Sequence, residues 1–340
     1  MYFFSKCKQN KLPFSVSDFF VNNIFNQTSF NEEFAVSLFQ HQYQYNEVYR
    51  SWCECMHINP GTVTNITQIP FLPISFFKTH VVQTRSFLPQ KIFTSSGTTQ
   101  TANSRHYVKD EALYKQSFIT AFKAFYGNIE ELCIIGLLPS YLERNGSSLV
   151  YMVDELIKES KHLQSGFYLY EFDKLKDTLQ QLEAAKQTTV LIGVTFALLD
   201  FAAICQMPLQ HTIVMETGGM KGKKKEATRQ EVHTILQQSF GLACIHSEYG
   251  MTELLSQAYS KGEGIYQCPP WMKVLVRNED DPLTINTAGK GVLNIIDLAN
   301  QDSCAFIATD DAGIIYDNDS FEVLGRIDNS DLRGCSLLTI

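Results

Sequence analysis

Five hydroxyl side chains surround a single glycine in Phe93-Thr-Ser-Ser-Gly-Thr-Thr99, and a small polar run carries on from there to Arg105. Glycine lets backbone approach a ligand closely, and neighbouring hydroxyls and amide N–H groups can donate to phosphate oxygens. No Gly-Lys-Ser/Thr follows the glycine, so this is not a Walker-type loop with its phosphate lysine. Standing alone, such a cluster reads as an ordinary turn. What it does depends on what the chain places with it.

Four further polar segments fall at strand ends or turns. In Glu216-Thr-Gly-Gly-Met-Lys-Gly222, Gly218 and Gly219 directly follow an apolar strand. The carboxyl end of a parallel strand is where nucleotides dock in open α/β sheets, although a plain strand-to-helix turn has the same composition. In His246-Ser-Glu-Tyr-Gly-Met-Thr-Glu253, Tyr249 can stack on a base, Thr252 can bond a phosphate, and Glu253 can hold Mg²⁺ through its carboxylate. His246 by itself reads as a hydrogen-bonded structural residue. Ala308-Thr-Asp-Asp-Ala-Gly313 reads as a turn whose Asp311 carboxylate can accept both hydroxyls of a ribose. Finally, the stretch from Leu324 to Cys335 brings Arg326, Arg333 and a thiol within a few residues of one another.

The elements that must position these groups come in three textures. Residues 1–70 read as helical: Ser29-Phe-Asn-Glu32 has capping-box spacing, and Phe34, Leu38, Phe39, Val48 and Trp52 recur at helical intervals. This aromatic-rich region packs a core or walls an apolar groove. Residues 69–78, with Pro70 and Pro73, read as an extended linker. From there to residue 262, short apolar strands (132–138, 168–170, 190–194, 212–215, 243–246) alternate with helices (149–160, 172–186, 226–239), which indicates an α/β unit with a largely parallel sheet. Ser147 or Ser148 can cap the first of those helices. Residues 263–340 are mainly β, with strands at 271–276, 291–296, 305–308 and 321–324, and read as a small appended sheet or barrel.

Composition narrows the class. With 44% hydrophobic and 19% charged residues, the 340-residue chain is that of a globular protein with a substantial core. A net charge of −8 gives no positive field for nucleic acid or anionic membrane, and Lys221–Lys225 is too short a basic cluster to change that. No run is long enough to span a bilayer, and the apolar patch of Met1-Tyr-Phe-Phe precedes its basic residues, the reverse of a signal peptide. A cytoplasmic location is the expectation. Nine scattered cysteines without a Cys-x-x-Cys pair read as reduced thiols.

The order Ser95-Ser-Gly-Thr-Thr99, Tyr249-Gly-Met-Thr-Glu253, Thr309-Asp-Asp311 and Gly325-Arg-Ile-Asp328 resembles that of adenylate-forming enzymes, which activate a carboxylic acid with ATP as an acyl-AMP. A narrower resemblance is to LuxE-type acyl-protein synthetases. It rests on Leu72-Pro-Ile-Ser-Phe-Phe-Lys78, Ser104-Arg-His-Tyr107, Leu138-Pro-Ser-Tyr-Leu-Glu-Arg144, Thr217-Gly-Gly-Met-Lys-Gly222, Ser247–Glu253 and Arg333-Gly-Cys335, and covers nearly all of the chain from about residue 65. The resemblance implies an adenylate-forming-enzyme-like α/β domain with a helical N-terminal region and a small β subdomain.

It also implies roles for residues. Ser95, Ser96, Gly97, Thr98 and Thr99 would hold the ATP phosphates, Tyr249 would lie against the adenine, Thr252 and Glu253 would serve phosphate and Mg²⁺, Asp311 would hold the ribose, and Gly218, Gly219 and Gly250 would belong to the nucleotide site. Arg326 would reach the nucleotide from its turn. In that family a cysteine near the C-terminus carries the acyl group as a thioester before passing it to a partner such as an acyl reductase or carrier protein. Cys335 is the match, and Arg333 could favour its thiolate.

The wider superfamily continues beyond the Gly-Arg-x-Asp turn with a small domain that brings a catalytic lysine, whereas this sequence stops at Ile340, as LuxE-type chains do. Lys221 is the candidate to replace that lysine. The implied substrate is a carboxylic acid of fatty or aryl type. Two other readings stay open at this point: an acyltransferase taking a pre-activated acyl group onto Cys335 without ATP, and a non-catalytic scaffold for a reductase or carrier.

Overall fold

The computed structural model describes residues 24–95, 103–139, 146–169, 171–218, 228–279, 281 and 283–327. After a short 3-10 turn at Ile24–Asn26, two helices follow. In α1 (Glu32–Tyr45) the cap is Asn31, whose side chain accepts the Phe34 amide, so the capping box expected from Ser29 gives way to the asparagine next to the first turn. Asn46 ends α1 and caps α2 (Glu47–Cys55), accepting the Tyr49 amide at 3.0 Å. Segment 69–78 is extended as expected but does not hang free as a linker. Tyr49 and Trp52 donate to the carbonyls of Pro70 and Phe71, and β1 (Leu72–Pro73) pairs in parallel with residues 307 and 308. A short α3 (Phe76–Thr79) follows.

Next come β2 (Lys91–Thr94) and β3 (Arg105–Val108), an antiparallel pair on either side of the hydroxyl-rich segment. Beyond them, α4 (Glu111–Tyr126), β4 (Cys133–Leu137), α5 (Ser148–Ser160), β5 (Gly166–Phe167), α6 (Phe172–Ala184), β6 (Thr189–Gly193), α7 (Thr195–Ile204), β7 (Thr212–Glu216), α8 (Arg229–Phe240) and β8 (His246–Tyr249) alternate. Ser147 caps α5 as the sequence suggests. The strand expected at 168–170 lies two residues earlier, and Tyr170 is outside the described residues. The strand expected at 243–246 begins where that expectation ends. The end of α8 uses the chain first: Gly241 takes a left-handed cap, and Gln237 accepts the Leu242 amide and donates to the Ala243 carbonyl.

Strands β5, β4, β6, β7 and β8 are parallel neighbours in that order. Their period-two alternation buries both faces. Ile134, Val190, Ile192 and Met215 share a core with α4 and α5, while Ile135, Leu137, Leu191 and Val214 share one with α6, α7 and α8.

The remaining strands are β9 (Ala258–Ser260), β10 (Ile265–Gln267), β11 (Met272–Arg277), β12 (Ile285–Asn286), β13 (Gly289–Asp297), β14 (Phe306–Ile315) and β15 (Phe321–Arg326). They do not form a separate barrel. The hydrogen-bonded order is β12-β11-β13-β14-β15-β10-β9-β8-β7-β6-β4-β5, so one mixed sheet runs through both textures, and its antiparallel part joins the parallel part at the β8–β9 edge. The N-terminal helices cover that antiparallel part, where Phe39 and Tyr49 pack on Phe306.

Candidate nucleotide site

Three of the residues singled out from sequence meet around one carboxylate. Tyr249, at the end of β8, donates its hydroxyl to Asp311 Oδ2 at 2.8 Å. Arg326 Nε lies 3.4 Å from Asp311 Oδ1, and the two residues are register partners in β14 and β15. Asp311 was expected at a turn and sits instead inside a ten-residue strand. The turn chemistry is present but embedded: the Thr309 hydroxyl accepts the Asp311 amide at 3.1 Å, and the ladder shifts register just beyond, between Ala312 and Gly313. Burial, then the Asp311 charge, push the Tyr249 hydroxyl well above its ordinary pKa, so it stays a neutral donor. Its ring is walled by Phe321 and Tyr266.

A second centre forms around Glu253, 4% exposed. Burial raises its pKa, and a hydrogen bond from Ser104 together with the charges of Arg326 and Lys78 work against that rise. Ser104 belongs to the approach to β3. It exchanges bonds with Ser95, whose amide donates to the Ser104 carbonyl at 3.1 Å and whose hydroxyl accepts the Ser104 amide at 3.0 Å. Ser95, at the start of the hydroxyl segment, is thus one residue contact from the Glu253 carboxyl. His106 Nδ1 lies 2.9 Å from the Thr252 carbonyl and its Nε2 lies 3.1 Å from Asn300 Oδ1. Asn300 in turn donates to the Glu253 carbonyl at 2.8 Å. Burial pushes the His106 ring down to about 4. A Cβ at Gly250 would lie 2.5 Å from Glu248 Oε1 and 3.2 Å from Gln257 Cγ, so a larger residue here would push both side chains aside.

The glycine segment begins at the carboxyl end of β7. Gly218 has φ +73° and turns its amide onto Glu216 Oε2 at 2.8 Å. Ser96, Gly97, Thr98, Thr99, Gly219, Lys221, Arg333 and Cys335 lie outside the described residues. Sequence reasoning assigned no role to Ser104, His106, Asn300, Glu216 or Arg229. The first two stand in a quoted motif and Glu216 heads another, but Asn300 carries no local signal.

Whether Mg²⁺ fits can be judged from the donors. Among the described residues no group of three or more His, Cys, Asp or Glu is placed to hold a metal. Mg²⁺ is commonly held by one or two carboxylates with substrate phosphates and water completing its shell, and a bound cation would offset the burial that disfavours the charged form of Glu253. Glu253 fits that role. Among the described residues no helix is long and apolar enough to cross a membrane, and the cysteines, Cys53, Cys55, Cys133, Cys205, Cys244, Cys268 and Cys304, are free thiols.

This fold is that of adenylate-forming ligases. A 2-hydroxyisobutyryl-CoA ligase in its postadenylation state superposes with a TM-score of 0.60 at 10% identity, covering 87% of this chain and 66% of that one. ATP-bound MatB from Rhodopseudomonas palustris gives 0.51 at 16% identity over 69% of this chain, which spans only 47% of the MatB chain. Residues 9–139 match the family model "Acyl-protein synthetase, LuxE". The chain is similar to the long-chain-fatty-acid–luciferin-component ligase of Aliivibrio fischeri, at 22% identity over 92% of this chain and 88% of that protein.

Proposed function

We propose that this protein activates a carboxylic acid, of long-chain fatty type, with ATP. The carboxylate oxygen attacks the α-phosphorus and pyrophosphate leaves, giving acyl-AMP. The Cys335 thiolate then attacks the acyl carbon and AMP leaves, and a partner protein such as an acyl reductase or carrier takes the acyl group as the thiolate is released. A carboxylate alone is a poor electrophile because its leaving group is oxide, and the mixed anhydride supplies a good one.

The observation that carries this reading is the meeting of Tyr249, Asp311 and Arg326 at one carboxylate, beside a Glu253 tied through Ser104 to the start of the hydroxyl segment. In this reading Asp311 accepts ribose hydroxyls, Tyr249 lies against adenine with Gly218, Gly219 and Gly250 giving it room, and Ser95 to Thr99 with Thr252 bond the phosphates. Arg326 and Lys221 offset phosphate charge during transfer. Bound Mg²⁺ would be held by Glu253 and would supply further charge neutralisation. The division into a helical region at 1–70, a nucleotide- and acyl-binding core at 71–262 and a β-rich unit at 263–340 belongs to the same proposal.

Intact-mass measurement after incubation with ATP, Mg²⁺ and a long-chain fatty acid tests the thioester step. The wild-type chain gains one acyl mass that hydroxylamine removes, and Cys335→Ser does not. An adduct that persists in Cys335→Ser contradicts the assignment.

A further inference from the structure

We infer that Glu216 is a positioning residue that ties Gly218, at the end of β7, to the strand carrying Arg326, so that these two residues are held in one arrangement; this rests on the nucleotide-site reading above. The Glu216 side chain is buried at the carboxyl end of β7 and gathers four elements. Its Oε2 accepts from the Thr195 hydroxyl at the start of α7 and from the Gly218 amide, both at 2.8 Å. Its Oε1 faces the Ser247 hydroxyl of β8 at 3.4 Å, Arg229 Nε at 3.7 Å and His233 Nε2 at 3.8 Å, the last two on α8.

Burial disfavours the charged carboxylate, but the nearby His233 ring, the Gly218 and Thr195 hydrogen bonds and the Arg229 charge outweigh it and hold the group below its usual range. An ionised, buried carboxylate with this set of donors fixes whatever donates to it. Here that is the first glycine of the segment, whose carbonyl also accepts the Thr195 amide at 2.9 Å.

The link onward runs through Arg229. Its Nη1 donates to the Val323 carbonyl on β15 at 2.8 Å, three residues before Arg326, and its guanidinium lies 5.4 Å from the centre of the Tyr266 ring. Gly264 leaves room for it, since a Cβ there would lie 3.0 Å from Arg229 Cδ. Tyr266 stacks on Phe321 and meets Tyr249. Gly218 and Glu216 are therefore joined through Arg229 to a ring of contacts that runs over β15, Arg326, Asp311, Tyr249 and Tyr266, although Glu216 itself touches none of the groups assigned to ribose or phosphate.

A double-mutant cycle on ATP affinity, measured by equilibrium dialysis without any acid, tests the coupling. Glu216→Ala and Arg326→Ala are each expected to weaken ATP binding about tenfold, with the double variant losing well under the hundredfold that independent sites would give. Glu216→Gln, which keeps an acceptor for Gly218 but loses the charge toward Arg229, is expected to fall between wild type and Glu216→Ala. In pyrophosphate exchange it should raise KM for ATP with little change in kcat. A purely structural role would lower Tm and leave ATP affinity unchanged in Glu216→Gln, or give additive losses in the cycle; either result overturns the inference while leaving the nucleotide reading intact. If Glu216→Ala fails to fold, the cycle is run with Glu216→Gln and the same additivity criterion decides. Wild-type protein that binds no ATP overturns the nucleotide reading and this inference with it.

Discussion

The Tyr249 hydroxyl donates to Asp311 Oδ2 at 2.8 Å, joining the end of a parallel strand to the middle of a strand 62 residues further along the chain. The bond starts from β8, where the parallel part of the sheet meets the antiparallel part, and reaches β14 within the antiparallel part, and it orients a carboxylate that Arg326 holds from the other side. A pre-oriented carboxylate can accept two vicinal hydroxyls without first paying the entropy of finding its rotamer.

Removing that donor should loosen nucleotide binding more than it harms chemistry. Tyr249→Phe keeps the ring and loses one hydrogen bond, worth about 1 kcal/mol, so KM for ATP is expected to rise about fivefold with kcat nearly unchanged. Asp311→Asn also loses the charge facing Arg326 and is expected to raise KM by about tenfold or more. Steady-state kinetics at varied ATP measures both, and a fall in kcat with constant KM would contradict the ribose assignment.

Glu253→Gln keeps the shape and the Ser104 contact but removes the negative charge. Loss of a group that stabilises charge during transfer typically costs about a hundredfold in kcat, and that is the expected fall here, with a higher Mg²⁺ concentration needed for half-maximal rate. Kinetics across a Mg²⁺ series checks it. An unchanged Mg²⁺ requirement would remove Glu253 from the metal.

Glu248 makes a prediction about stability and pH. Burial, then the Glu216 charge, push its carboxyl from 4.5 up to about 8. Between those values the folded chain holds a proton that the unfolded chain has released, so stability falls as pH rises through that window. The contribution is complete below about 4.5 and lost above about 8. Glu248→Gln stays neutral throughout and is expected to melt a few degrees above wild type at pH 9 and close to it at pH 5. Thermal unfolding across that range tests the sign, and a variant less stable than wild type at pH 9 contradicts it.

Much of the frame was legible because its signals are local. The apolar runs of β4, β6 and β7 and the Ser147 cap of α5 sit where period and capping chemistry put them. The failures are of two kinds. Where two short polar residues compete for one cap, as Ser29 and Asn31 do, the choice turns on backbone angles that composition does not encode. Where the partner is remote there is no pattern to read. The carbonyls bonded by Asn300 and His106 lie 47 and 146 residues from those side chains, and the joining of the C-terminal strands to the α/β sheet depends on the single antiparallel pairing of β8 with β9. Asp311 falls between the two kinds: Thr309 gives its amide a turn-like bond, which looks like a turn in sequence and is a strand in space.

The most direct test of the account is carboxylate-dependent exchange of labelled pyrophosphate into ATP, run with wild-type protein, Mg²⁺ and a series of fatty acids. Adenylation predicts exchange that requires the acid, is retained in Cys335→Ser, and falls about a hundredfold in Glu253→Gln. No exchange with any acid, under conditions where the protein is folded and Mg²⁺ is present, would contradict acyl-AMP formation by this chain.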